Sequence, residues 1–175
     1  MRCKWLLLGL LAVGHVGCSR QSASPPPAKE SIISAGEIGS RLPDFTVDDL
    51  RGHKISSADL HGKVVLVDFW ATWCQPCKQE MPGYQKLLDR YGSQGFVVVG
   101  LKFDTMMDME DPLKFTKKIV VRYPLAVATD DLKRNFGGIE GLPTTMLYDR
   151  HGILRQKVIG FEYTDTFEAY LKPLL

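Results

Sequence analysis

The segment WATWCQPC, residues 70–77, sets two cysteines one helical turn apart with Gln75 and Pro76 between them. Cysteines at this spacing can exchange disulfides, hold a metal or staple a short loop. The thiolate is the reactive form, and the unpaired N–H groups and positive dipole end of a helix N-terminus favour it. Cys74 follows an apolar run and opens a stretch of helical periodicity, so it stands where a thiolate is stabilised. Cys77, one turn on, shares its side of the helix and can attack a mixed disulfide formed at Cys74. Pro76 falls in the first turn, where its missing N–H costs nothing. A zinc site takes four ligands. Here the other cysteines, Cys3 and Cys18, lie in the first segment, and His53, His61 and His151 are scattered without ligand spacing. No metal is expected. A bridge closing so small a loop adds little stability. Redox exchange is the remaining chemistry, and it needs no cofactor beyond the two sulfurs.

A strand has to deliver this pair and a helix has to carry it. KVVLVDFWA, ending at Ala71, is a near-continuous Val-rich run suited to a central strand buried on both faces. From Cys74 to Tyr91, Met81, Tyr84, Leu87, Leu88 and Tyr91 recur at three- and four-residue steps, predicting a helix. GFVVVGLKF predicts a second buried strand, and DPLKFTKKIV a helix with Pro112 at its start. YPLAVA predicts a short strand, and DDLKRNFGG a short helix ending at glycine. TTMLYDRHGILRQKVIG predicts a hairpin turning at Asp149–Gly152, and the C-terminal segment a last helix. Upstream, LPDFTVDDLRGHKISSADLHGK predicts two short strands around Gly52 and a helical turn near Ser57–Leu60. Alternating strands and helices followed by an antiparallel hairpin predict an α/β fold, a mixed sheet with helices on both faces.

The 175 residues suffice for one domain with a real core, and 45% hydrophobic with 24% charged residues is ordinary for a globular chain. The chain opens MRCKWLLLGLLAVGHVGC, in which two basic residues precede an apolar run too short to span a bilayer. This predicts an export signal over residues 1–18. Its end, HVGC, resembles a bacterial lipobox, which predicts lipidation of Cys18; His15 stands where that pattern prefers an aliphatic residue. Residues 19–40, rich in Ser, Pro, Ala and Gly, are expected to form a tether, and residues 41–175 the folded domain. Without Arg2 and Lys4 the chain keeps 20 basic against 20 acidic side chains, a balance that gives no support to nucleic-acid binding.

VVLVDFWATWCQPCKQEMP closely resembles the active-site segment of thioredoxins, and GGIEGLPTTMLYDRHGIL their later segment around a cis-proline. The N-terminal hairpin and the helical stretch at 110–121 resemble the TlpA/ResA-like branch, exported bacterial thiol–disulfide oxidoreductases. The resemblance spans about residues 41 to 175. It implies a thioredoxin-like fold with an N-terminal β-hairpin and a helical insertion. It implies Cys74 as the attacking cysteine, Cys77 as the resolving one, and Asp68 as the buried acid that takes the Cys77 proton. Trp73 and Pro76 would flank the substrate. Pro143 would be the cis-proline facing the cysteines, exposing the Leu142 backbone to substrate, and Pro82 the helix-kinking proline. Partners would be disulfide- or dithiol-bearing envelope proteins and an upstream electron donor, met by a monomer in the extracytoplasmic envelope. One job of that branch is keeping apocytochrome c thiols reduced. Two departures stand out: Gln75 where thioredoxins usually have Gly, and Gly100 where thioredoxin has a lysine near its buried acid, with Lys102 two residues on. The N-terminal region also resembles peroxiredoxins. Those need a Pro and Thr upstream of a lone peroxidatic cysteine, and here Trp70–Ala71 precede Thr72 without a proline.

Overall fold

The computed structural model describes residues 34–103 and 110–175. Cys18 and the expected leader lie outside the described residues, as does most of the expected tether. Among the described residues seven strands form in chain order: β1 Thr46–Asp48, β2 Lys54–Ser56, β3 Val64–Trp70, β4 Phe96–Phe103, β5 Leu125–Ala128, β6 Thr144–Tyr148 and β7 Leu154–Ile159. The helices are α1 Gln75–Tyr91, α2 Pro112–Lys118, α3 Asp130–Asn135 and α4 Thr164–Leu171, with a 3-10 turn at Ser57–Leu60.

Five strands make one sheet in the order β5-β4-β3-β6-β7, parallel across β5, β4 and β3 and antiparallel for β6 and β7. All seven residues of central β3 are buried, as its near-continuous apolar run predicts, Asp68 included. Alternate β3 side chains feed two cores. Val64, Leu66 and Trp70 pack with α1, with Phe115 of α2 and with Phe167 and Leu171 of α4. Val65, Val67 and Phe69 pack on the other face with Phe45, Ile55, Leu132 and Phe136. Helices therefore cover both faces of a mixed sheet. β1 and β2 form a separate antiparallel hairpin, joined to the edge of β5 by a bridge from Asp49 to Ala126.

The folded region begins earlier than composition indicated. Residues 34–40, assigned to a tether because Ser, Ala and Gly dominate them, are built into the domain. Gly39 N donates to Leu154 O at 2.9 Å and Leu154 N to Ser40 O at 2.8 Å. Gly36, at φ +77°, lies against the backbone of Phe136 and Gly137, where a side chain would collide with a carbonyl. Small residues here serve a close backbone approach, a use that composition cannot separate from linker flexibility.

Candidate active site

β3 ends at Trp70, and Ala71–Cys74 turn the chain into α1. Cys74 is the N-cap, with extended φ/ψ of −77° and 102°, so the helix proper starts one residue later, at Gln75. Its Sγ accepts from Cys77 N at 3.3 Å, satisfying one of the orphan donors of the first turn. Cys74 and Cys77 are joined by a disulfide, their Cα atoms 5.4 Å apart. Both are buried: Cys74 is 3% exposed and Cys77 fully enclosed. Gln75 and Pro76 project to solvent between them. Trp73 is 41% exposed on the approach.

The other residues singled out by sequence come from β6 and β3. The Leu142–Pro143 peptide is cis, at the start of β6. Pro143 O accepts from Gly160 N at 2.8 Å, and Thr144 Oγ1 donates to Gly141 O at 2.7 Å, so this corner is fixed from both sides. Leu142 is half-buried and touches both cores. Ile159, the last residue of β7 and the partner of Thr144, is exposed, as are Phe161 and Tyr163 on the connection to α4, whose rings meet edge to face at 5.0 Å. Pro82 lies inside α1.

Asp68 sits mid-β3, opposite Gly100 of β4 and Thr145 of β6. It is fully buried, and neither carboxylate oxygen has a hydrogen-bond partner among the described residues. Burial raises its pKa well above the usual carboxylate range, and the charge of Glu80 raises it further. Lys102 pairs with Trp70, not with Asp68; it is buried, and its Nζ donates to Phe103 O at 3.0 Å.

Sequence reasoning missed Glu80. It stands one turn after Cys77 on the same side of α1 and is 2% exposed. Its Oε1 accepts the Glu162 N–H from the connection preceding α4, and the Tyr84 hydroxyl also bonds it. Burial lifts it to about 7 against the pull of these two bonds. The signal was present: an acid between Cys77 and Met81 on a helix face otherwise apolar. Tyr84, bonded to Thr145 Oγ1 at 3.0 Å, and Tyr123, just before β5, complete the cluster. Burial and the charges of Asp68 and Glu80 push both phenols up. The arrangement is a dithiol at a helix N-cap, with acids behind it able to hold a proton and an apolar rim in front able to seat a polypeptide.

Known proteins resemble this chain in sequence and fold. The sequence pattern of the AhpC/TSA family matches residues 38–157. The thiol-disulfide oxidoreductase ResA of Bacillus cereus is 34% identical over 139 residues, 79% of each chain. ResA of Geobacillus kaustophilus is 32% identical over 142 residues, 81% of this chain and 80% of that one. A crystal structure of a thioredoxin-family thiol:disulfide interchange protein from Chlorobium tepidum superposes with a TM-score of 0.70 at 30% identity, covering 80% of this chain and 99% of that one. These relatives carry names of disulfide exchange, and with two bridged cysteines in place of a lone one they leave the peroxidase alternative less supported.

Proposed function

From the premise that the chain belongs to the AhpC/TSA family and is a thioredoxin-fold thiol–disulfide oxidoreductase, we propose that it works in the bacterial envelope as a reductase of protein disulfides. Cys74 thiolate attacks one sulfur of a substrate disulfide and the other leaves as a thiolate. Cys77 then gives its proton to Asp68 and attacks Cys74, releasing the second substrate thiol and forming the Cys74–Cys77 bridge. Trp73, Pro76, Leu142 and Pro143 frame the substrate, with the Leu142 backbone free to pair with an extended segment. A separate envelope electron donor must then reduce the bridge. The leader ending at Cys18 supports export and a lipid tether, with apocytochrome c thiols as one substrate class.

The observation that carries the direction of transfer is the acid pair, Asp68 and Glu80, buried behind the dithiol. A strongly oxidising dithiol owes its potential to a stabilised reduced form. Two buried acids behind the cysteines offer the Cys74 thiolate no positive counter-charge and oppose it wherever they ionise, which favours giving electrons away. Equilibration with glutathione or dithiothreitol should place the Cys74–Cys77 couple near thioredoxin, at about −270 mV, well below protein disulfide isomerase at about −180 mV. A potential at or above the latter would mark an oxidant. Cys77→Ser should accumulate a mixed disulfide with a protein substrate and Cys74→Ser should not; equal accumulation by both would reverse the assignment of the attacking sulfur.

A further inference from the structure

Five buried polar atoms on one side of β3 lack a hydrogen-bond partner among the described residues: both Asp68 oxygens, Glu80 Oε2, Trp70 Nε1 and Tyr123 Oη. Two of the residues are donors and two are acids. Buried polar groups are nearly always satisfied, and where protein groups do not meet, ordered water joins them. Gly100 places these groups together. It pairs with Asp68 across the β3–β4 ladder. A methyl group on it would collide with Leu125 Cδ2 and lie 3.1 Å from Trp70 Nε1 and 3.3 Å from Tyr123 Cε2. Glycine opposite the acid thus lets the Trp70 indole N–H and the Tyr123 ring approach that stretch of β4, beside Leu125. Among the described residues, the other groups facing Asp68 are Glu80 and Tyr84 from α1 and Thr145 from β6, while Lys102 lies two residues beyond Gly100 on the same face of β4.

We propose that the Trp70 indole N–H and the Tyr123 hydroxyl are the donors that hold the Asp68 carboxylate, reaching it through bridging water and doing the work a cation beside the acid would do. This rests on the reading of Asp68 as proton acceptor. In that step the Cys77 S–H bond breaks, the proton passes to Asp68, the freed electron pair forms the bond to Cys74, and the substrate sulfur leaves with the pair of the broken mixed disulfide. The two donors touch no substrate atom. They are positioning residues, setting the pH at which Asp68 is ready to accept.

Tyr123→Phe removes the donor and keeps the ring. Asp68 is followed by carbon-13 NMR of aspartate-labelled, reduced, full-length protein, alongside the pH dependence of single-turnover oxidation by a peptide disulfide. Losing a hydrogen bond to an ionised group should move the Asp68 midpoint up by about one pH unit, and slow turnover about tenfold below that midpoint. An unmoved Asp68 midpoint overturns the proposal, even if the variant is less stable. In the wild-type protein the Tyr123 Cζ and Trp70 indole resonances should shift at the Asp68 midpoint, and their silence overturns it without any variant. Asp68→Asn distinguishes the two readings: an unchanged pH–rate profile there removes the proton-acceptor role alone, because the NMR arms do not depend on turnover.

Discussion

At the scale of single residues, the site joins groups that are local in sequence to groups that are not. Cys74, Pro76 and Cys77 were legible because a strand-to-helix junction with CxxC carries its chemistry within eight residues. Asp68 and Pro143 were legible through motifs on either side of that junction. Glu80 was not, because an acid on a helix reads as exposed unless one knows that the segment before α4 folds over it and offers the Glu162 N–H. Its burial has a measurable consequence. A carboxyl raised to about 7 in the folded state, against about 4.5 unfolded, binds more protons folded than unfolded between those values. Its stabilising contribution is therefore complete below pH 4.5 and declines as pH rises through 7. The loss should be on the order of 1–3 kcal/mol. Urea titrations of the oxidised protein from pH 5 to 8 should show this decline, and Glu80→Gln should make it shallower, leaving the share that buried Asp68 contributes in the same direction. A Glu80→Gln protein with the wild-type slope would assign the pH dependence to another group.

At the scale of elements, hydrophobic period and turn residues located all seven strands and the four helices to within a few residues. Each is long or periodic enough to announce itself, or is bounded by Gly, Pro or Asp. What period could not give is the fit between elements. Gly100 in the buried run FVVVGLKF looks like a weak point in a strand, yet Leu125 of β5, Trp70 and Tyr123 all close on it. Glycine to alanine within a strand ordinarily gains about 0.5–1 kcal/mol from reduced chain entropy. Here the added methyl would press into Leu125 and lie 3.1 Å from Trp70 Nε1, and overpacking of a filled core costs roughly 1–3 kcal/mol. Overpacking is the larger effect, because the indole is held between Gly100 and a stacked Phe115 ring at 5.4 Å. Gly100→Ala should lower the urea midpoint with an unchanged m-value. A raised midpoint would mean that Leu125 yields freely and that the close approach is incidental.

At the scale of the whole molecule, the two ends of the sheet face different tasks. Gly39, Ser40 and Arg41 lie beside Leu154 and Ile153, at the start of β7. β6 runs antiparallel to β3, with Phe69 opposite Thr144 and Val65 opposite Tyr148, so these residues lie at the end of the sheet away from Pro143 and Cys74. A lipid on Cys18 would be joined to the domain through the residues before Ser34. The 15 residues between Cys18 and Ser34 reach at most about 55 Å when fully extended. The expected outcome is a membrane-held protein whose dithiol is as open to large reagents as that of the freed domain. Mass spectrometry of the mature N-terminus should find a diacylglyceryl group on Cys18, and Cys18→Ser should move the protein to the soluble fraction. After reduction, a polymer-linked maleimide should label Cys74 at equal rates in membrane-held and Cys18→Ser forms. Slower labelling of the membrane-held form would place the dithiol at the bilayer, and an unmodified N-terminus downstream of Cys18 would replace the tether with free diffusion.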